Sequence, residues 1–173
     1  MTEQGNTPAE TTAFDHGVSE QMQIRLEKRA KLLESGREAY PVGVPVTHTI
    51  TEIREKYDGK LEADQTTGDI VGVAGRVVFV RNTGKLCFAS LQQGNGTRIQ
   101  AMISLASVGE ESLADWKALV DLGDHVFVKG EVISSRRGEL SIMADEWQMA
   151  SKALRPMPNL HSDLNEETRV RQR

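Results

Sequence analysis

With one cysteine, Cys87, the chain can form no intrachain disulfide. That suits a reducing compartment, and the thiol, set between Leu86 and Phe88 in a strand pattern, reads as a buried structural group. No apolar run approaches the length needed to cross a bilayer. The opening residues, MTEQGNTPAETTAFDH, carry neither a basic n-region nor an apolar h-region, so they make no secretory signal. The expectation is a soluble, cytoplasmic protein with no membrane partner. Positive charge is not in excess either: 21 Lys and Arg stand against 25 Asp and Glu, a net charge of −4. Averaged over the chain this argues against nonspecific binding to nucleic acid, and no DNA partner is expected. The average covers unlike parts, because acids such as Glu3, Glu10, Asp163, Glu166 and Glu167 lie far from the middle of the chain.

Catalytic signatures are missing too. The four histidines, His16, His48, His125 and His161, are scattered and have no partner at metal-ligand spacing. With a single cysteine, they argue against zinc. There is no G-x-x-x-x-G-K-[ST] loop, no G-x-S-x-G elbow and no G-x-G-x-x-G after a strand. No pair of carboxylates is grouped for acid–base work. The sequence therefore assigns no catalytic residue, no metal site and no cofactor to this stretch.

What the chain does contain is a run of short elements. Residues 1–18 have almost nothing to bury and are expected to be a disordered tail. Ser19 then caps a helix stopped at Gly36, with Met22, Leu26, Ala30 and Leu33 as its apolar stripe and Arg25, Lys28, Arg29 and Lys31 on the other faces. After the proline-containing connector YPVGVPVTHT comes a short helix closed by Asp58-Gly59, which completes a helical segment over 19–68. DIVGVAGRVVFVRN reads as a long strand whose Gly72 and Gly75 mark a bulge or a tight bend. KLCFASLQQ and TRIQAMIS follow as strands joined through Asn95-Gly96, a hairpin turn signal. GEESLADWKALVDLGD is a helix with Leu113, Trp116, Leu119 and Val120 as its stripe. HVFVKGEVISS and ELSIMADEWQMAS are two more strands about an Arg-Arg-Gly turn. The fold class is mainly β with flanking helices. Three strands, a helix and two strands over 69–151 is the order of an OB-fold, a five-stranded Greek-key barrel that binds oligonucleotides on one face; the pattern alone supports a five-stranded antiparallel sheet with a helix, and the barrel needs the resemblance given below as well. Residues 152–173 form a connector.

The hairpin from Arg81 to Gln100 carries the chemistry. It holds an isolated strand aromatic, Phe88, an amide, Gln100, and two basic residues, Arg81 and Lys85. A ring can stack on a base while neighbouring polar groups read that base's hydrogen-bonding edge, which is how single-stranded loops are recognised. From the residues alone Phe88 fits the core equally well, and Arg81 and Lys85 also fit as charges guarding a strand edge.

Arg81, Gly84-Lys85, Phe88 and the Ile99-Gln100 step together resemble the anticodon-binding domain of class IIb aminoacyl-tRNA synthetases. Three further segments narrow the likeness. DLGDHVFVKGEVISSRRGELSI, KALRPMPN and EETRVRQR are similar to the last barrel strands, the exit connector and the catalytic-domain opening of bacterial lysyl-tRNA synthetases. Val170 replaces the tyrosine usual in that last motif, and the loop from Gln92 to Arg98 is one residue longer than the common pattern.

The resemblance implies that Phe88 stacks on the middle uridine of a lysine anticodon. It implies that Arg81, Gln100 and Glu139 read its edge. By charge and place alone, Arg136 and Arg137 in the turn beside Glu139, and less directly Arg98, are candidates for phosphate contact, while Lys85 belongs to the shared Gly-Lys pair with no role fixed for it. It further implies a full-length lysine–tRNA ligase that uses ATP and Mg2+ and works as a homodimer. The class II catalytic motifs are expected beyond Arg173, so this stretch alone is expected to bind tRNA without charging it. Two other readings remain open: a general single-stranded nucleic-acid-binding protein and a protein-interaction module.

Overall fold

The computed structural model describes residues 19–158, together with Glu166 and Val170. The expected tail over 1–18 and the EETRVRQR motif, those two residues apart, lie outside the described residues.

Helix α1 spans Glu20–Glu34, and the Ser19 side chain caps it by accepting from the Met22 amide. Its buried face is not the expected one. Leu33 and Ala30 are exposed, whereas Arg25 and Leu32 are buried. The reason is polar: Arg25 donates to the carbonyls of Leu122 and Ala153 at 2.9 and 3.0 Å, which ties the helix to two distant stretches of the chain. Lys28 pairs with Asp121 at 2.5 Å, so two of the four basic residues assigned to solvated faces are spent on packing.

Helix α2, Ile50–Tyr57, opens with a capping box in which Thr49 and Glu52 satisfy each other's amides. It buries Ile50 and Ile53. Strands β1 (Thr66–Asn82), β2 (Leu86–Gln92) and β3 (Arg98–Ser104) follow, then short α3 (Leu105–Val108), α4 (Glu110–Leu119), β4 (His125–Ser134) and β5 (Leu140–Ser151). The α3 turn was not anticipated. Its N-cap, Ser104, directly ends β3, so the sequence carries no loop to announce it. The α4 stripe is buried as expected: Leu113, Trp116, Leu119 and Val120 all join the core.

The five strands close into a barrel in the order β1-β2-β3-β5-β4, with β3 and β5 parallel and every other pair antiparallel. This is the OB arrangement. Closure is possible because β1 serves two partners: its first part pairs with β4, its last with β2, and Arg76 pairs with both. The two glycines do not mark a bulge. A Cβ at Gly72 would lie 2.9 Å from the Phe127 ring and 3.0 Å from the Pro45 carbonyl, and one at Gly75 would lie 3.1 Å from Leu91 Cβ. They admit close neighbours where the strand crosses from one partner to the other. The irregularities of β1 lie elsewhere, between Thr66 and Ile70 and between Val77 and Phe79.

Candidate nucleic-acid interface

Alternation builds the face. In β2, Cys87, Ala89 and Leu91 are buried, while Leu86, Phe88, Ser90 and Gln92 are only partly covered and look outward. Register then places Arg81 opposite Phe88, Phe88 opposite Met102, Ser90 opposite Gln100, and Gln100 beside Ser141. Three strands thus deliver Arg81, Phe88 and Gln100 to one outer surface, and Phe88 is not part of the core. The β1–β4 pairing ends at Arg76, so at Arg81 the strand is paired with β2 alone and the edge-guarding role stays open beside the binding one.

Glu139 reaches the same surface from the β4–β5 turn. Gly138 takes φ +80° there, and the Ser135 amide donates to the Glu139 carbonyl at 2.9 Å, which closes the turn.

These residues ring a concavity of about 790 Å3 lined by Arg81, Phe88, Gln100, Arg136, Arg137 and Glu139. An adjoining depression of about 470 Å3 shares Phe88, Gln100, Arg137 and Glu139 and adds Arg54 and Arg98. Lys85 lines neither. It sits in the β1–β2 turn, where its carbonyl accepts from the Leu105 amide at 2.8 Å.

The polar groups are held before any ligand arrives. Gln100 Nε2 donates to Ser141 Oγ at 2.9 Å, and Ser141 Oγ donates to the Glu139 carbonyl at 2.8 Å. This relay fixes the amide and leaves Gln100 Oε1 free to accept. Glu139 Oε1 accepts from Arg54 Nη2 at 3.1 Å, and Arg54 Nε donates to the Arg98 carbonyl at 2.8 Å. One carboxylate oxygen is therefore tied to α2 while the other remains available. Arg81 lies over the Phe88 ring. A ring, acceptors and donors around one hollow suit a flat heterocycle that presents both kinds of group on its edge.

Arg54, Phe79 and Ser141 are the positions at the hollow that the sequence did not reveal. Arg54 comes from a helix far back in the chain, and Ser141 is invisible without the β3–β5 pairing. Phe79 lines both depressions. Its only sequence signal is an aromatic in a valine-rich strand. Cys87 takes no part: it is fully buried, and burial pushes its thiol above the ordinary value, away from nucleophilic use. Among the described residues no group of three or more His, Cys, Asp or Glu is arranged to hold a metal ion, and no helix is long and apolar enough to cross a membrane.

Residues 71–150 match the family model described as the OB-fold nucleic acid binding domain of tRNA anticodon type. The chain is 65% identical over 156 residues to the lysine–tRNA ligase of Mycolicibacterium gilvum (strain PYR-GCK), a match covering 90% of this chain and 31% of that protein. Identity to the lysine–tRNA ligase of Kineococcus radiotolerans is 62% over 156 residues, with the same shares. To that of Mycobacterium tuberculosis (strain ATCC 25618 / H37Rv), named lysine–tRNA ligase 1, it is 59% over 165 residues, covering 95% and 32%. The chain spans about a third of the length of these relatives. Strand order, family match and identity agree: residues 71–150 are an OB-fold domain of the tRNA anticodon-binding family, of the kind found in lysine–tRNA ligases.

Proposed function

We propose that the outer face of β1–β3 reads the anticodon loop of a lysine tRNA and verifies its middle uridine. The observation that supports this most is the gathering of Arg81, Phe88, Gln100 and Glu139 around one hollow. Phe88 stacks on the base, a contact worth about 1–3 kcal/mol that tolerates any base. Choice comes from the edge. Uracil shows two carbonyl acceptors flanking one N–H donor. Glu139 accepts the N3–H, Arg81 donates to a carbonyl, and Gln100 supplies an acceptor and a second donor. Cytosine has no N3–H and presents an amino group, so polar groups are left unpaired at about 1–3 kcal/mol each. Arg136 and Arg137 attract the backbone phosphates, and Lys85, off the hollow, contributes charge only.

The likeness to lysine–tRNA ligases extends the reading to the whole protein. It joins lysine to its tRNA using ATP with Mg2+, acts as a homodimer and works in the cytoplasm. This chain's share is to hold the tRNA, and alone it transfers no lysine.

The test is a titration of the 173-residue chain with lysine anticodon stem-loops that differ only in the middle base, at two salt concentrations. Tighter binding of the uridine loop, weakened by salt, is expected. Equal affinity for uridine and cytidine would make the barrel a general single-strand binder. Binding that ignores salt, or none, would favour a protein partner.

A further inference from the structure

We propose that Phe79 is the platform of a second nucleotide subsite, taking the base next to the one stacked on Phe88. This rests on the anticodon reading of the same face.

The backbone puts the ring there. Val77 pairs with Leu91, yet Phe79 pairs with the very next residue, Ser90, so Val78 is an extra residue in the strand. Without that bulge Phe79 would share the inward parity of Val77, which is fully buried. With it, Phe79 and Arg81 both turn out beside Ser90 and Phe88, and Phe79 is 55% exposed. An irregularity that takes a phenylalanine out of a hydrophobic core and sets it on a polar surface gives up burial, and a ligand that stacks on the ring restores it.

The position fits such a ligand. Phe79 lines both depressions, with Phe88, Gln100 and Glu139 common to the two. The smaller one adds two guanidinium groups held in place: Arg98 Nε donates to Gln92 Oε1 at 2.8 Å, and Arg54 is tied to Asp58, Glu139 and the Arg98 carbonyl. An exposed ring flanked by fixed cations is the pairing that holds successive bases and phosphates of a single strand. Stacking does not distinguish bases, so this subsite adds affinity for a neighbouring nucleotide of any identity. Arg54 belongs to α2, outside residues 71–150 that match the anticodon-binding family.

The test uses the full chain and four lysine anticodon stem-loops: one intact, one lacking the base of the middle uridine, and one each lacking the base on its 5′ or its 3′ side. The wild type is expected to lose roughly five-fold or more in affinity at one of the two flanking abasic positions. Phe79→Ala should show that same loss on the intact loop and no further loss at that position, while Phe79→Trp retains wild-type affinity. A Phe79→Ala variant that binds the intact loop as the wild type does, or that loses as much again at the abasic position, overturns the subsite. A failure of the anticodon reading looks different: the wild type would then lose nothing when the middle base itself is removed.

Discussion

The guanidinium carbon of Arg81 lies 4.6 Å from the centre of the Phe88 ring, directly across the β1–β2 pairing. A cation over an aromatic face is held by the ring's quadrupole, worth about 0.5–1 kcal/mol at an exposed site. The same arginine lines the hollow. The two side chains thus form one device: the ring supports the arginine, and the arginine covers one ring face until a base competes for it.

That coupling makes the first prediction. Phe88→Ala should weaken binding of the lysine anticodon stem-loop by about 1–3 kcal/mol, through loss of the stack. Arg81→Ala should cost less, and the double variant should lose less than the sum of the two, because removing the ring already frees the arginine. Thermal melts should stay near the wild type, since both residues lie on the outer face. Fully additive losses in the titrations would show that the two side chains act independently.

A second prediction concerns Glu139 and its holder. Glu139→Gln should narrow the preference for uridine over cytidine at the middle position, because the carboxylate is the acceptor for the N3–H. Arg54→Ala should narrow it as well, by releasing the oxygen it holds at 3.1 Å. Stability should change little, since exposed ion pairs are worth about 0–1 kcal/mol. The quantity to compare is the ratio of dissociation constants for the two loops. If Arg54→Ala leaves that ratio untouched, Glu139 needs no positioning from α2.

How much of this was written in the sequence depends on which interactions are local. The period of two in β2 set Phe88 on one face with Ser90 and Gln92 but left open which face is outward, and the turn chemistry of Asn95-Gly96 located the hairpin. The α4 stripe followed from helical spacing. The α1 stripe did not: Met22, Leu26, Ala30 and Leu33 gave the better apolar period, but Arg25 bonds two carbonyls 97 and 128 residues away, and the helix is turned to reach them. The same long-range logic hid Arg54 and Ser141, whose partners lie 85 and 41 residues away. Phe79 was hidden by parity, because one extra residue in β1 reverses the side on which the following residues point.

A third prediction tests the other end of the barrel. Lys152 is buried with Nζ bonded to the Leu119 carbonyl, Asp121 Oδ2 and Asp124 Oδ2, each carboxylate contact at 2.7 Å, and Asp124 is fully buried. Lys152→Met leaves the Asp124 charge buried without its cation, so destabilisation of about 3–5 kcal/mol is expected in urea denaturation. Adding Asp124→Asn should recover part of that loss. A single variant with an unchanged urea midpoint would mean that the cluster holds nothing together.

The acid side of the same cluster gives a pH dependence whose sign can be worked out. Burial works against the Asp121 carboxylate, but hydrogen bonds and charge from Lys152 and Lys28 outweigh it, so its pKa lies below the ordinary 3.8. As pH falls, the unfolded chain takes up this proton first, so the stabilisation is full above the unfolded value and drains away as pH drops through the folded one. Denaturation midpoints should therefore be flat near neutrality and decline from about pH 5 downward. Asp69 and Glu52, whose carboxyls are also held below the ordinary range, contribute a background to that decline. Asp121→Asn isolates the share of Asp121. The variant should be less stable than the wild type at pH 7, and the two curves should converge in acid, where the wild-type carboxyl is protonated too. A gap that stays constant from neutral to acid pH would show that Asp121 acts through its shape and hydrogen bonds alone, with no contribution from its charge.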